Sequence, residues 1–206
     1  MVPGDVTDFS ICERIVEDIV SHYGKLDVIV ANASMMVESS IQDIKPEVFS
    51  SAIDSQVLGA VFPVKAGLPE ILKSNGYILL ISSLSALYGV PRFSAYSMGK
   101  RTYTNLAQSL RLEHQNSGIG IGVAYVCFTQ NEPRKQMILP DGELCGLPKR
   151  PTRLQQPREK VARSLARMIK NRSKTKTLSL YGKAYGFFSR YCPLVINIFV
   201  KRRLPI

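Results

Sequence analysis

Gly76-Tyr77-Ile78-Leu79-Leu80-Ile81-Ser82-Ser83, then Gly89-Val90-Pro91, then Tyr96-Ser97-Met98-Gly99-Lys100, reads as a buried strand, a turn and a helix. Ser83 closes the strand thirteen residues before Tyr96. A serine at the carboxyl end of a strand can point its hydroxyl into the cleft above an α/β sheet, where ligands bind. Tyr96 and Lys100 share one helix face, with Cβ atoms roughly 5–6 Å apart. An ammonium beside a phenol favours the phenolate, which draws a tyrosine pKa of about 10 toward working pH. Such a tyrosine can give or take the proton of a hydroxyl being formed or oxidised. Alone, Tyr-x-x-x-Lys reads as a solvated helical pair. With the strand, the serine and the turn, it reads as a catalytic group.

Working outward, strands and helices alternate. Val2–Val6 reads as a short strand, and Asp8 or Ser10 as the cap of a helix carrying Ile11, Ile15, Ile19 and His22 on one face. Leu26–Val30 is a continuous apolar strand of the parallel-sheet kind. Pro46 opens a helix that runs past Gly59 to Leu72, with Val48, Ile53, Val57 and Val61 turned to the core. The Tyr96 helix extends to about Gln115 with Leu106, Leu110 and Leu112 as core candidates, and a Gly118–Gly122 turn leads into the strand Ile121–Cys127. A basic helix from Glu159 to Lys170 and a last strand, Thr177–Leu180, follow. The alternation predicts an α/β, doubly wound parallel sheet in one domain, residues 1–177, with a C-terminal tail, residues 178–206. Within it, the proline- and glycine-rich segment 128–157 is expected to lack regular structure and to act as a substrate lid or a plain surface loop.

The 206 residues are 45% hydrophobic and 21% charged, ordinary for a globular chain. Charge is uneven. Residues 149–206 hold 16 Lys/Arg against the single acid Glu159, whereas residues 1–148 are mildly acidic. Cys12, Cys127, Cys145 and Cys192 have no close spacing, and His22 and His114 lie far apart, so no metal-binding pattern is present. Free thiols in a cytoplasmic setting are expected.

Three stretches resemble the short-chain dehydrogenase/reductase family. Ile81-Ser82-Ser83-Leu84-Ser85-Ala86 with Tyr96-Ser97-Met98-Gly99-Lys100 is similar to its catalytic stretch. Leu26-Asp27-Val28-Ile29-Val30-Ala31-Asn32-Ala33-Ser34 resembles the strand and Asn-Asn-Ala-Gly turn, and Asp5-Val6-Thr7 the Asp-Val pair whose aspartate meets adenine. The resemblance runs from about residue 3 to residue 135. It implies a Rossmann-like fold and an NAD(P)-dependent oxidoreductase interconverting a hydrophobic, even lipid-like, carbonyl and alcohol. Tyr96 would pass the proton, Lys100 would hold the nicotinamide ribose, and Ser83 would donate to the developing alkoxide. The resemblance further implies Gln56 at the place of the relay asparagine. Asp5, Val6, Asn32, Ala33, Tyr96, Lys100 and Asn131 would line the cofactor, with Asn32 also tying adjacent strands.

The departures are as informative. The glycine-rich Thr-Gly-x-x-x-Gly-x-Gly turn is absent from the sequence, and the strand–helix–strand unit that carries it in the family is expected to be missing or to lie upstream of Met1. Ala31, Ser34, Gln56 and Phe128-Thr129 replace family residues. A rival reading is therefore a truncated, cofactor-deficient member acting as a binding or regulatory partner. Without earlier strands, Leu26–Val30 would be a bare sheet edge, so a homo-oligomer is expected. The tail mixes Tyr181, Tyr185, Phe187, Phe188, Tyr191, Leu194 and Ile198 with Lys183, Arg190 and Lys201-Arg202-Arg203. That pattern fits a membrane surface with anionic headgroups, or a helix docked on the fold. No motif of a nucleic-acid-binding module accompanies the charge.

Overall fold

The computed structural model describes residues 3–133, 135–147 and 155–203. Helix α1 (Phe9–Tyr23) starts where the Asp8 carboxylate accepts the N–H groups of Ser10 and Ile11, and it ends at Gly24. Strand β1 (Val28–Ala31), helix α2 (Pro46–Lys73) and strand β2 (Tyr77–Ser83) follow. A single 3₁₀ turn (Leu84–Ala86) leads toward helix α3 (Ser94–Glu113) and strand β3 (Gly120–Val126). A hairpin of β4 (Gln136–Ile138) and β5 (Leu144–Gly146) precedes helix α4 (Arg158–Lys170), strand β6 (Thr175–Thr177), α5 (Leu180–Tyr191) and α6 (Pro193–Arg203).

The main sheet is parallel throughout, in the order β1-β2-β3-β6. Both faces of its centre are covered. Ile78 and Leu80 of β2 lie with Ile29, Ile121, Val123 and residues of α2 and α3, while Tyr77 and Leu79 lie with Ala124 and Met168 of α4. Burying each of these leucines or isoleucines is worth about 2 kcal/mol. Glycine is required where the Tyr77 ring crosses β3: a methyl at Gly122 would sit 1.9 Å from the phenolic oxygen. That oxygen donates to the Ser173 carbonyl at 2.7 Å, tying β2 to the approach of β6.

Arginines clamp the amino edge of the sheet. Arg111 donates to the carbonyls of Ile121 and Lys174, and Arg172 donates to those of Asn75, Gly76 and Gly118. Together with His114 and Lys174 they line a cavity of about 320 Å³.

Several sequence expectations are corrected. Residues 3–8 form no strand; the Asp5 carboxylate accepts the Thr7 N–H and hydroxyl, which folds the backbone into a turn, and Val2 lies outside the described residues. The last strand falls at Thr175–Thr177, because Ser179 instead caps α5 by accepting the Gly182 N–H. Gly120 and Gly122 belong to the strand rather than to a turn. His22 and Leu112 are exposed. In α2 the buried stripe is Ala52, Gln56, Gly59, Ala60, Val64, Gly67 and Ile71, with Val48, Ile53, Val57 and Val61 half-buried. Small residues win the interior because the helix lies close to its neighbours: a methyl at Gly67 would meet Ile29 at 2.6 Å.

The segment 128–157 also holds regular structure, although residues 148–154 lie outside the description. β4 and β5 pair antiparallel, and backbone bonds latch the hairpin down: Ile138 N–H to the Met36 carbonyl and Lys45 N–H to the Pro140 carbonyl. Its apolar side joins Val37, Ile44, Val48, Phe49 and Ile53 through Ile138.

β1 is the outermost strand among the described residues. By register, Val28 and Val30 share the sheet face of Tyr77 and Leu79, which α4 covers only farther in, and Val30 is 46% exposed. A bare apolar edge templates pairing with another chain. The isolated chain is expected to sediment as an oligomer, and Val30→Lys should shift it toward monomer. A sharp monomer peak for the parent contradicts this.

Candidate active site

Some of the expected site residues follow the carboxyl ends of the sheet strands. β1 delivers Asn32 and Ala33, β2 delivers Ser83, and β3 leads through Phe128 to Asn131. α3 lies beside β2 and presents Tyr96 and Lys100 one turn apart. Tyr96 is half-buried. It lies within electrostatic range of Tyr103, whose phenol is pushed well above the usual range, first by burial and then by Tyr96.

Lys100 is only 3% exposed. Its ammonium donates to the Ile81 carbonyl at 2.9 Å and to the Tyr103 hydroxyl at 3.2 Å, and it stands 4.4 Å from the centre of the Tyr103 ring. In return, the buried Ser82 hydroxyl donates to the Lys100 carbonyl at 2.8 Å. No carboxylate contacts the ammonium among the described residues. Burial first, and the charge of Lys135 second, bring its pKa down to about 7. The expected ammonium beside Tyr96 is thereby modified: burial favours the neutral amine of Lys100.

Ser83 accepts both the N–H and the hydroxyl of Ser85, at 3.3 and 3.1 Å. A hydroxyl has one proton and two lone pairs, so these bonds leave the Ser83 proton for another acceptor. The hydroxyl of the preceding residue, Ser82, is committed to the Lys100 carbonyl.

Gln56 is fully buried. Its side-chain oxygen accepts the Ser34 hydroxyl at 3.1 Å, and its amide nitrogen donates to the Met35 carbonyl. Its stem lies flat on Gly99, where a methyl would meet the Gln56 Cβ at 2.3 Å. Gln56 thus joins the exit of β1 to the Lys100 turn of α3, a role that its sequence position alone did not reveal. α2 remains α-helical through it.

The cofactor-side residues are less concentrated. The Asp5 carboxylate is exposed and engaged by Thr7, which holds it below the usual carboxylate range. Val6 packs near Gly59 of α2. Asn32 and Ala33 are exposed past β1, and Asn131 is half-buried. Among the described residues the Asn32 side chain bonds to no neighbouring strand, so the strand-tying role expected of it is not found; the chain turns away after Ala31 toward the Met35–Ser55 contact. Ser83, whose hydroxyl accepts from Ser85, and Lys100, one helical turn after Tyr96, carry polar groups of the kind that would hold a nicotinamide ribose. Among the described residues the adenine end has no comparable cradle.

Two consequences are measurable. A lysine whose folded pKa lies below its unfolded 10.5 keeps fewer protons when folded. Folding therefore costs most below about pH 7, and stability should rise from about pH 7 to about pH 9 by up to roughly 1.4 kcal/mol per unit. Above that range Cys12, whose thiol is pushed up by burial, opposes the trend. Lys100→Met should flatten this slope in urea unfolding at several pH values, and an unchanged slope contradicts the buried amine. Separately, Gly99→Ala should cost about 1–3 kcal/mol through overpacking against Gln56, read from the same unfolding curves.

Comparison with known proteins places the chain. It is 34% identical over 113 residues to 11-beta-hydroxysteroid dehydrogenase 1A of Arabidopsis thaliana, a match covering 54% of this chain and 32% of that protein. It thus spans about a third of the length of that curated relative. A short-chain dehydrogenase from Mycobacterium paratuberculosis, solved bound to NAD, is 33% identical over 60% of this chain and 46% of its own, with a TM-score of 0.57. A short-chain dehydrogenase from Streptomyces avermitilis shares the fold at a TM-score of 0.78, covering 98% of this chain and 79% of its own at 17% identity. The family model for short chain dehydrogenases matches residues 1–137, and this chain belongs to that family.

Proposed function

We propose that the protein is an NAD(P)-dependent oxidoreductase that interconverts a hydrophobic carbonyl and its alcohol. The observation that carries this reading is Lys100, buried against the Ile81 carbonyl two residues before Ser83 and one helical turn after Tyr96, with burial bringing its pKa to about 7. The bound nicotinamide would supply or receive the hydride. Tyr96 gives the substrate oxygen its proton, or takes it in the reverse direction. Ser83 donates its free proton to the same oxygen and stabilises charge that develops there. Lys100, with a pKa of about 7, accepts and releases a proton at neutral pH and restores Tyr96 after each turnover. Gln56 holds the α3 turn that carries Lys100 against the exit of β1. Asp5, Val6, Asn32, Ala33 and Asn131 complete the cofactor's surroundings.

Apolar side chains exposed near this edge, Met98 on α3 and Phe128 past β3, favour a hydrophobic, lipid-like substrate. The hairpin latched to Met36 and Lys45 acts as its lid. We assign the working protein to the cytoplasm as a homo-oligomer.

A second reading, a cofactor-deficient partner or regulatory member, is favoured by one observation: the Asp5 carboxylate that would meet adenine is already engaged by Thr7. Titration with NADH and NADPH, followed by nicotinamide fluorescence, separates the two. Saturation in the micromolar range supports the oxidoreductase, whereas a flat titration supports the partner. In the first case Tyr96→Phe should lower carbonyl reduction by about 10²–10⁴-fold. Ser83→Ala should lower it by about 10²–10³-fold. Parent-like rates in Tyr96→Phe would overturn the proposal.

A further inference from the structure

Helices α5 and α6 are bound to the fold from one side only. Tyr185 of α5 and Ile196 and Val200 of α6 enter the main core beside Leu84 and Ala86. The other side faces outward. Of the fifteen large apolar residues exposed among the described residues, eight lie between Leu180 and Ile198. In α5, Leu180, Ala184, Phe187 and Tyr191 recur at four-, three- and four-residue steps and form one ridge. Leu180 is 84% exposed and Tyr191 63%. Phe187 packs edgewise on Phe188 with ring centres 5.6 Å apart, and it lies 5.0 Å from Tyr191. In α6, Leu194, Val195 and Ile198 stand opposite the buried Ile196 and Val200, and Leu194 is 76% exposed.

The charge beside this ridge has one sign. Lys183 and Arg190, seven residues apart, flank it on the same side of α5, and Lys201-Arg202-Arg203 follow in sequence. No acidic residue occurs after Glu159. A second copy seated on this face would bring Lys183 and Arg190 against their like-charged counterparts. A surface of anionic headgroups over acyl chains matches both features, since basic side chains meet the phosphates and the apolar ridge enters the boundary layer. Tyrosines at the rim suit such a boundary, with an apolar body and a polar tip. Among the described residues no helix is long and apolar enough to cross a membrane, so these helices lie along it.

We propose that α5 and α6 form an interfacial anchor that seats the protein on an anionic lipid surface, with Leu180, Phe187, Tyr191, Leu194 and Ile198 entering it. This stands apart from the oxidoreductase reading, because no nicotinamide nucleotide enters its test. The chain contains no tryptophan, so Leu194→Trp introduces a single reporter on the ridge. With vesicles of phosphatidylcholine and phosphatidylglycerol, its emission should shift to the blue and the protein should float with the lipid. Phosphatidylcholine vesicles alone should retain little protein, and high salt should release the bound fraction. Leu194→Glu with Ile198→Glu should abolish flotation. Lys183→Ala with Arg190→Ala should weaken it by about thirtyfold. Circular dichroism and unfolding curves matching the parent show that these surface changes leave the fold intact. Three results would overturn the anchor: no flotation of the parent, flotation that survives the double glutamate change, or a glutamate change that only dissociates an oligomer in sedimentation.

Discussion

The site depends on a reciprocal pair of bonds between β2 and α3. The Lys100 ammonium donates to the Ile81 carbonyl, and the Ser82 hydroxyl donates to the Lys100 carbonyl. One residue of the helix thus both gives to and receives from two consecutive strand residues, with the serine bond buried and the ammonium bond partly so. Inside a low-dielectric interior such polar bonds strengthen, and leaving either partner unmade costs more than the bond itself. The arrangement fixes the height and rotation of α3 over the end of β2. Tyr96 stands one helical turn before Lys100 on that helix, and Ser83 ends the strand to which Lys100 is bonded.

The same contact sets the electrostatics. A lysine placed deep enough to reach a strand carbonyl gives up solvation, and no nearby carboxylate compensates among the described residues. Tyr103 supplies a hydroxyl and a ring face in its place. Geometry and proton affinity therefore have one cause: the depth at which Lys100 is buried.

What the sequence made legible follows from locality. The β2 strand, the α3 helix and the Ser83–Tyr96–Lys100 spacing lie within 25 residues and obey simple periods, so the centre of the fold could be read directly. Gln56 could not, because its value lies in bonds to Ser34 and Met35 and in a contact with Gly99, all distant in the chain. The α2 interior was misread because large aliphatics usually mark a buried face, while here close approach selects alanine and glycine. Residues 3–6 are Pro-Gly-Asp-Val, three turn formers before one strand former, and the Asp5 carboxylate gives the backbone a local turn. The hairpin escaped notice because its three-residue strands are held by pairing with β1's exit loop and the start of α2, not by their own propensity.

That hairpin is fastened chiefly through main-chain groups, Ile138 to Met36 and Lys45 to Pro140. Every residue other than proline carries the same peptide donor and acceptor, so the latch is largely indifferent to which side chains the hairpin bears. Replacing outward side chains such as Gln136 and Leu144 therefore alters the hairpin's outer surface and leaves its attachment to the fold untouched.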